Sequence, residues 1–141
     1  MSQAPRDVYL HFLDLITQDR WDELAELYAA DVVIEQPYAR PEPHTIRGRE
    51  EVRARFAART SMPLRLVPAN VVVHETTDPE VVIAQFDYDV TVTTTGESFR
   101  TANVIVLRIR DGLIVESHDF HDTPRIRDAI ARGAGPEAVS A

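Results

Sequence analysis

The sequence predicts an α+β fold, with its helices gathered on one face of a curved, mainly antiparallel sheet. Three observations carry that prediction. Apolar residues recur at helical spacing over the first part of the chain. From Leu64 onward the period changes to two, and Val and Thr become abundant. Short runs of Thr, Asp, Pro and Gly then divide this second region into hairpins.

Met1 to Pro5 reads as a loose lead-in. From Arg6 to Gln18, Val8, Tyr9, Phe12, Leu13, Leu15 and Ile16 form the apolar face of an amphipathic helix. Asp7, His11, Asp14 and Gln18 form its wet stripe. Asp19 is placed to cap a second short helix, with Trp21, Leu24, Leu27 and Tyr28 turned inward. Asp31 to Gln36 is a short strand, and Pro37 to Pro43 is too rich in proline for regular structure. Gly48 opens a third helix, with Val52 and Phe56 inward and Arg53 and Arg59 outward. Glu50 and Glu51 in its first turn suit the helix dipole.

Leu64–Glu75 and Val81–Thr93 read as strands joined by Thr76 to Pro79, with Pro68 marking an edge or a bulge. After a turn at Thr94 to Gly96, Phe99, Thr101, Asn103, Ile105, Leu107 and Ile109 share one face of the next strand. The stretch DGLIVESHDFHD follows. A two-residue turn at Asp111-Gly112 sets Leu107 opposite Glu116, whereas a three-residue loop from Arg110 sets it opposite Val115. The hydrophobic match favours the longer loop. Ile105 then faces Ser117, Asn103 faces Asp119 and Thr101 faces His121, so polar groups collect at one end of an apolar face. Asp122 and Thr123 start a last helical turn. A single domain is expected over residues 1–132, with a disordered tail at 133–141.

A chain of 141 residues with 44% hydrophobic and 27% charged content suits one globular domain. The absence of cysteine excludes disulfides and thiolate metal sites and fits a reducing compartment. No apolar run is long enough to span a bilayer, so no membrane role and a cytoplasmic location are expected. A net charge of -8 argues against nucleic acid as a partner.

The run LAELYAADVVIEQPYARPEPHTIRGREEVRARF, together with DGLIVESHDFHD, resembles the SnoaL-like branch of the nuclear transport factor 2-like (ketosteroid isomerase-like) superfamily. The resemblance implies a cone: three N-terminal helices packed in a strongly curved mixed sheet. It also implies a homodimer through the outer sheet face and a pocket for a hydrophobic small molecule. Polyketide cyclases, ketosteroid isomerases, limonene-type epoxide hydrolases, phenazine-biosynthesis proteins and binders without chemistry share the scaffold. Gln36 stands at the steroid-isomerase base position and Phe12 at its first-helix tyrosine position, so that mechanism looks lost. Arg55 and Arg59 replace the phenazine histidine and serine, and Gln85 replaces the epoxide-hydrolase arginine. Asp119 matches an acid of three branches, and Asp87 matches the second epoxide-hydrolase carboxylate.

These residues imply acid/base chemistry without a cofactor, of isomerase, cyclase or epoxide-hydrolase type. The alternative is a ligand-binding or dimerisation module of the same fold. A carboxyl in an apolar cup loses hydration, and its pKa rises towards neutrality. Asp119 is the expected proton carrier, with Asn103 orienting it and Asp87 or His121 as the second polar group. The plainer alternatives are a solvated strand-end aspartate bonded to Asn103, and a rim histidine. Asp87 shares a strand face with Gln85 and Ile83, and burial alone turns that face to solvent. Tyr9, Phe12, Tyr28, Phe56, Phe99, Ser117 and Gln36 are the expected substrate-contacting residues. His118 and His121 lie on opposite strand faces, which disfavours a metal.

Overall fold

The computed structural model describes residues 3–134. Along the chain come α1 (Pro5–Thr17), a 3-10 segment (Trp21–Leu27), β1 (Tyr28–Gln36), β2 (His44–Arg47) and α2 (Arg49–Arg59). β3 (Leu64–Glu75), β4 (Val81–Val92), β5 (Ser98–Arg110), β6 (Leu113–Phe120) and α3 (Thr123–Ala134) follow. All six strands join one sheet in the order β2-β1-β6-β5-β4-β3. β1 runs parallel to β6, and the other neighbours pair antiparallel. The predicted α+β class and mixed, mainly antiparallel sheet are what the chain forms.

Pro5 opens α1 with its φ already suited to a helix. The helix buries Val8, Tyr9, Phe12, Leu13, Leu15 and Ile16, the set its spacing marked. That face packs against β3, β4 and β5. The inner face of β4 supplies Val82, Ala84, Phe86, Tyr88 and Val90, and that of β5 supplies Ile105, Leu107 and Ile109. Each such aliphatic or aromatic side chain contributes about 1.5–3 kcal/mol on full burial. No helix among the described residues is long and apolar enough to cross a membrane.

Several elements differ from expectation. The second helix is a 3-10 segment, and Asp19 does not cap it. Asp19 takes a positive φ of 59° and accepts the Trp21 indole N–H at 2.8 Å. β2 was not foreseen, because four residues are too few for alternation to show. Arg59 turns inward, its guanidinium carbon 4.7 Å from the Trp21 ring centroid, since cation–π attraction and stem burial outweigh solvation there. Pro68 lies on edge strand β3, which is interrupted between Ala69 and Val72 around Asn70 at φ 53°.

α3 continues through Gly133 to Ala134, so the expected boundary at 132 falls inside a helix. A glycine at 133 lets the helix approach the β4–β5 turn, where a Cβ would lie 2.7 Å from the Thr94 hydroxyl. The expected disordered tail otherwise lies at 135–141, outside the described residues.

The β5–β6 register is the main correction. Asp111 and Gly112 both take positive φ, 52° and 78°, as a two-residue type I′ turn requires. Ile109 pairs with Ile114, but Arg108 pairs with Glu116, so Val115 is an extra residue in a bulge. Beyond the bulge Leu107 faces Ser117 and Ile105 faces Asp119. The partners therefore sit two residues from the expected ones, while the inner face is unchanged. A short turn plus one bulge residue preserves side-chain parity as a three-residue loop does.

Candidate active site

β6 carries Ser117 and Asp119 on its inner face and then ends at Phe120, while β5 runs on as far back as Ser98. His121, just past the end of β6, turns into the space this leaves. Its ring stacks on Tyr88 at 6.3 Å between centroids. Its Nδ1 lies 2.7 Å from Oδ1 of Asn103, and its Nε2 lies 4.0 Å from Oδ2 of Asp119. The Asn103 amide nitrogen donates to the carbonyl oxygens of Phe86 and Thr101 at 3.3 and 3.4 Å. The Ser117 hydroxyl donates to Oδ1 of Asp119. Asn103 therefore orients His121, not Asp119 as expected, because the register shift moves Asp119 opposite Ile105.

The Asp119 side chain is only 14% exposed. Burial pushes its carboxyl pKa up, and His121, Ser117 and His118 only partly offset this. Burial pushes the His121 pKa down, opposed by the Asp119 charge. The two shifts run in opposite directions, each opposed by the charge of the other group.

Three buried phenols lie near enough to Asp119 to feel its charge. Burial raises the pKa of Tyr9, Tyr28 and Tyr88, and the charge of Asp119 raises each further. All three remain protonated donors. The Tyr9 hydroxyl and the Thr101 hydroxyl are buried with no hydrogen-bond partner among the described residues. Arg59 acts on Tyr88 in the opposite sense, and burial lowers the pKa of the guanidinium itself.

Of the expected site residues, Asp119, Ser117, Asn103, His121, Tyr9 and Tyr28 come together. Asp87 does not. It lies on the outer face of β4, where its carboxylate accepts the Asn70 amide at 2.8 Å. Strand alternation gave Val82 to Val90 the inner face, and that packing outweighs the likeness to an epoxide-hydrolase acid. Phe12 stacks on Tyr9 at 6.0 Å, and Phe56 sits between Trp21 and Tyr28 at 5.9 and 6.0 Å, both as core. Phe99 lies 4.8 Å beneath the Arg125 guanidinium, and Gln36 accepts from Arg55 at 3.2 Å. His118 points outward to Glu116 at 2.8 Å. Tyr88 was not foreseen as a site residue, although alternation along β4 already set it inward.

An open cavity of about 490 Å³ reaches this cluster at the end of β6. Asn103, His121, Tyr38, Arg40, Val104 and Phe120 are among its lining residues, Val104 and Phe120 from the outer face of the sheet. None of the aromatic residues expected to line a pocket is among them, because Tyr9, Phe12 and Tyr28 are core.

A curved six-stranded sheet wrapped around an N-terminal helix, with a buried acid and histidine at one end, defines a cone protein of the nuclear transport factor 2-like kind. Within that class the chain belongs to the SnoaL-like domain family, whose model matches residues 9–117. The match ends two residues before Asp119. An uncharacterized PhzA/B-like protein of Pseudomonas aeruginosa is 29% identical over 143 residues, covering 96% of this chain and 94% of that protein. A Bacillus subtilis structure, provisionally described as an isomerase, superposes with a TM-score of 0.79 at 25% identity, covering 90% and 91% of the two chains. A Mycobacterium tuberculosis protein in complex with estradiol-17beta-hemisuccinate shares the fold at 20% identity, with a TM-score of 0.70 over 83% and 93% of the two chains.

Proposed function

We propose that this protein is an enzyme that moves protons, without a cofactor, on a mostly apolar small molecule, as an isomerase, cyclase or epoxide-opening catalyst. The observation that carries this reading is the Asp119–His121 pair, buried beside three phenols and held in one orientation by Asn103. An amide oxygen only accepts, so Nδ1 of His121 carries the proton and the neutral ring presents Nε2 as base. A proton taken from a carbon or hydroxyl of the substrate passes to Nε2, and Asp119 balances the imidazolium charge. Return of that proton to a second atom completes an isomerisation or a ring closure.

The test is turnover of a panel of β,γ-unsaturated ketones and monosubstituted epoxides by wild type, Asp119→Asn and His121→Gln. The expected loss of kcat is about 10²-fold or more for each variant. A rate left unchanged by Asp119→Asn removes the assignment.

One observation favours a second reading, a binding module without turnover. The open cavity touches Asn103 and His121, while Asp119 is not part of its lining. An Asp119 carboxyl that titrates like an exposed aspartate by NMR supports this binder. In either case we propose pairing of two copies through the outer sheet face, where Val72 is 49% exposed and Ile83 and Val106 share the surface. Light scattering that gives a monomer mass at all concentrations rejects the dimer.

A further inference from the structure

We infer that α3 is a lid, whose displacement opens a way from the cavity beside His121 to the buried carboxyl of Asp119. The inference rests on the reading of Asp119 and His121 as the reacting pair, and it adds how a substrate reaches them.

The acid that this chemistry needs is shut in. Asp119 is buried and does not line the open cavity, which reaches only as far as Asn103 and His121. An element must therefore move to admit a substrate. β6 is held on both sides, by β1 and β5. α1 is fixed by six buried apolar side chains. α2 is anchored by Val52 and by Arg49, whose guanidinium donates to the Tyr28 carbonyl oxygen at 2.8 Å. The proline-rich loop meets the outer face of the sheet, where Tyr38 packs on Phe120, away from the inner-face acid.

α3 is placed as a lid would be. β6 ends at Phe120, opposite Val104, so the Ser98–Asn103 stretch of β5 has no β6 residue beside it. The helix covers that gap. Arg125 donates to the Arg100 carbonyl oxygen at 2.7 Å, and its guanidinium lies 4.8 Å from the centroid of the Phe99 ring. Gly133 brings the last turn against Thr94 and Thr95. Asp122 and Pro124, where the helix begins, line the cavity, so movement of the helix widens it beside Asn103.

The fastenings are light. Among the described residues of α3 only Ala129 is fully buried, and a methyl group loses little when it separates from its neighbours. Arg132 pairs with Glu97 at 2.9 Å, but both side chains are exposed and water screens them. Only His121 and Asp122 join the helix to β6. A two-residue link of this kind lets the helix swing while every strand keeps its ladder.

The chain has no cysteine, so one engineered disulfide can lock the helix down. A Cβ on Gly133 would lie 3.7 Å from the Thr94 Cβ, within the ~3.5–4.5 Å that a disulfide spans. The probe is 2-naphthol, which is flat, neutral and fluorescent. Stopped-flow fluorescence gives its association rate, and the Tyr88 ring signals in NMR report entry to the interior. Oxidised Thr94→Cys/Gly133→Cys is expected to take up the probe about tenfold more slowly than wild type, with at least the wild-type rate returning in dithiothreitol. Arg125→Gln/Arg132→Gln keeps Gly133, frees both ends of the helix and is expected to speed entry by a similar factor. Equal rates in the oxidised and reduced pair, no gain in the double glutamine variant, unmoved Tyr88 signals, or no binding at millimolar concentration overturns the inference. Gated entry together with turnover that Asp119→Asn leaves unchanged sustains the lid and rejects the acid/base reading. Ungated entry with turnover lost in Asp119→Asn does the reverse, so the two fail separately.

Discussion

His121 and Asn103 form a fixed pair: Nδ1 of the ring lies 2.7 Å from the amide oxygen, whose own nitrogen is tied to two backbone carbonyls of the sheet. The amide cannot turn over without losing both carbonyl bonds, so the histidine keeps one tautomer. Its free nitrogen faces the buried acid.

Replacing Asn103 by Leu removes that restraint and leaves the ring nitrogen without a partner. The variant is expected to show a mixed His121 tautomer population by 15N NMR. It should also lose about 1–3 kcal/mol of stability in urea unfolding, the cost of a buried polar group left unpaired. A single unchanged tautomer removes Asn103 from its orienting role.

Asp119→Asn is expected to stabilise the protein at neutral pH. The folded state raises this carboxyl above its ordinary value of 3.8, so in that window the folded chain holds a proton the unfolded chain has lost. Stability therefore falls as pH rises from 3.8 through the raised pKa, and the full penalty is present above it. For His121, lowered from 6.5, the sign reverses: its contribution is complete above 6.5 and is lost as pH falls through the lower folded value. Unfolding curves from pH 4 to 8 should show Asp119→Asn gaining on wild type towards the alkaline end. A variant less stable than wild type at every pH contradicts the burial argument.

Tyr9→Phe separates stability from chemistry. The hydroxyl is buried with no partner, so its removal is expected to raise stability by about 1 kcal/mol. If the phenol serves a substrate oxygen, the same variant lowers kcat while it raises Tm. A stabilised variant with full turnover places the hydroxyl outside the reaction.

Glu80 provides a control far from the site. Arg110 and Arg108 pull its carboxyl from 4.5 down to about 2. Its contribution is then present above pH 4.5 and is lost as pH falls through about 2. Glu80→Gln should erase that acid limb at low salt and change little at 1 M salt, because these groups are exposed. A limb that persists unchanged in the variant assigns it to other carboxylates.

Much of the site could be read from alternation alone. Thr101, Asn103, Ile105, Ser117 and Asp119 were set on one inner face, and they share it. The facing partners were missed because Val115 bulges, and nothing in VESHD marks where an extra residue leaves the ladder. Asp87 was drawn towards the site by resemblance while its strand neighbours Phe86 and Tyr88 pointed the other way, and the packing of those rings decides. Arg59 looked like a solvated helix residue until the Trp21 ring came beneath it.

By itself the sequence determined the class of fold and the inner face of each long strand, because apolar periodicity selects which side of a strand leaves water. Only the tertiary structure decided that Asn103 holds His121 while Ser117 holds Asp119. It alone brought Tyr38 and Arg40 from a proline-rich loop to the same cavity as His121. Those contacts join residues far apart in the chain, and they depend on a bulge and a loop path that no local pattern encodes.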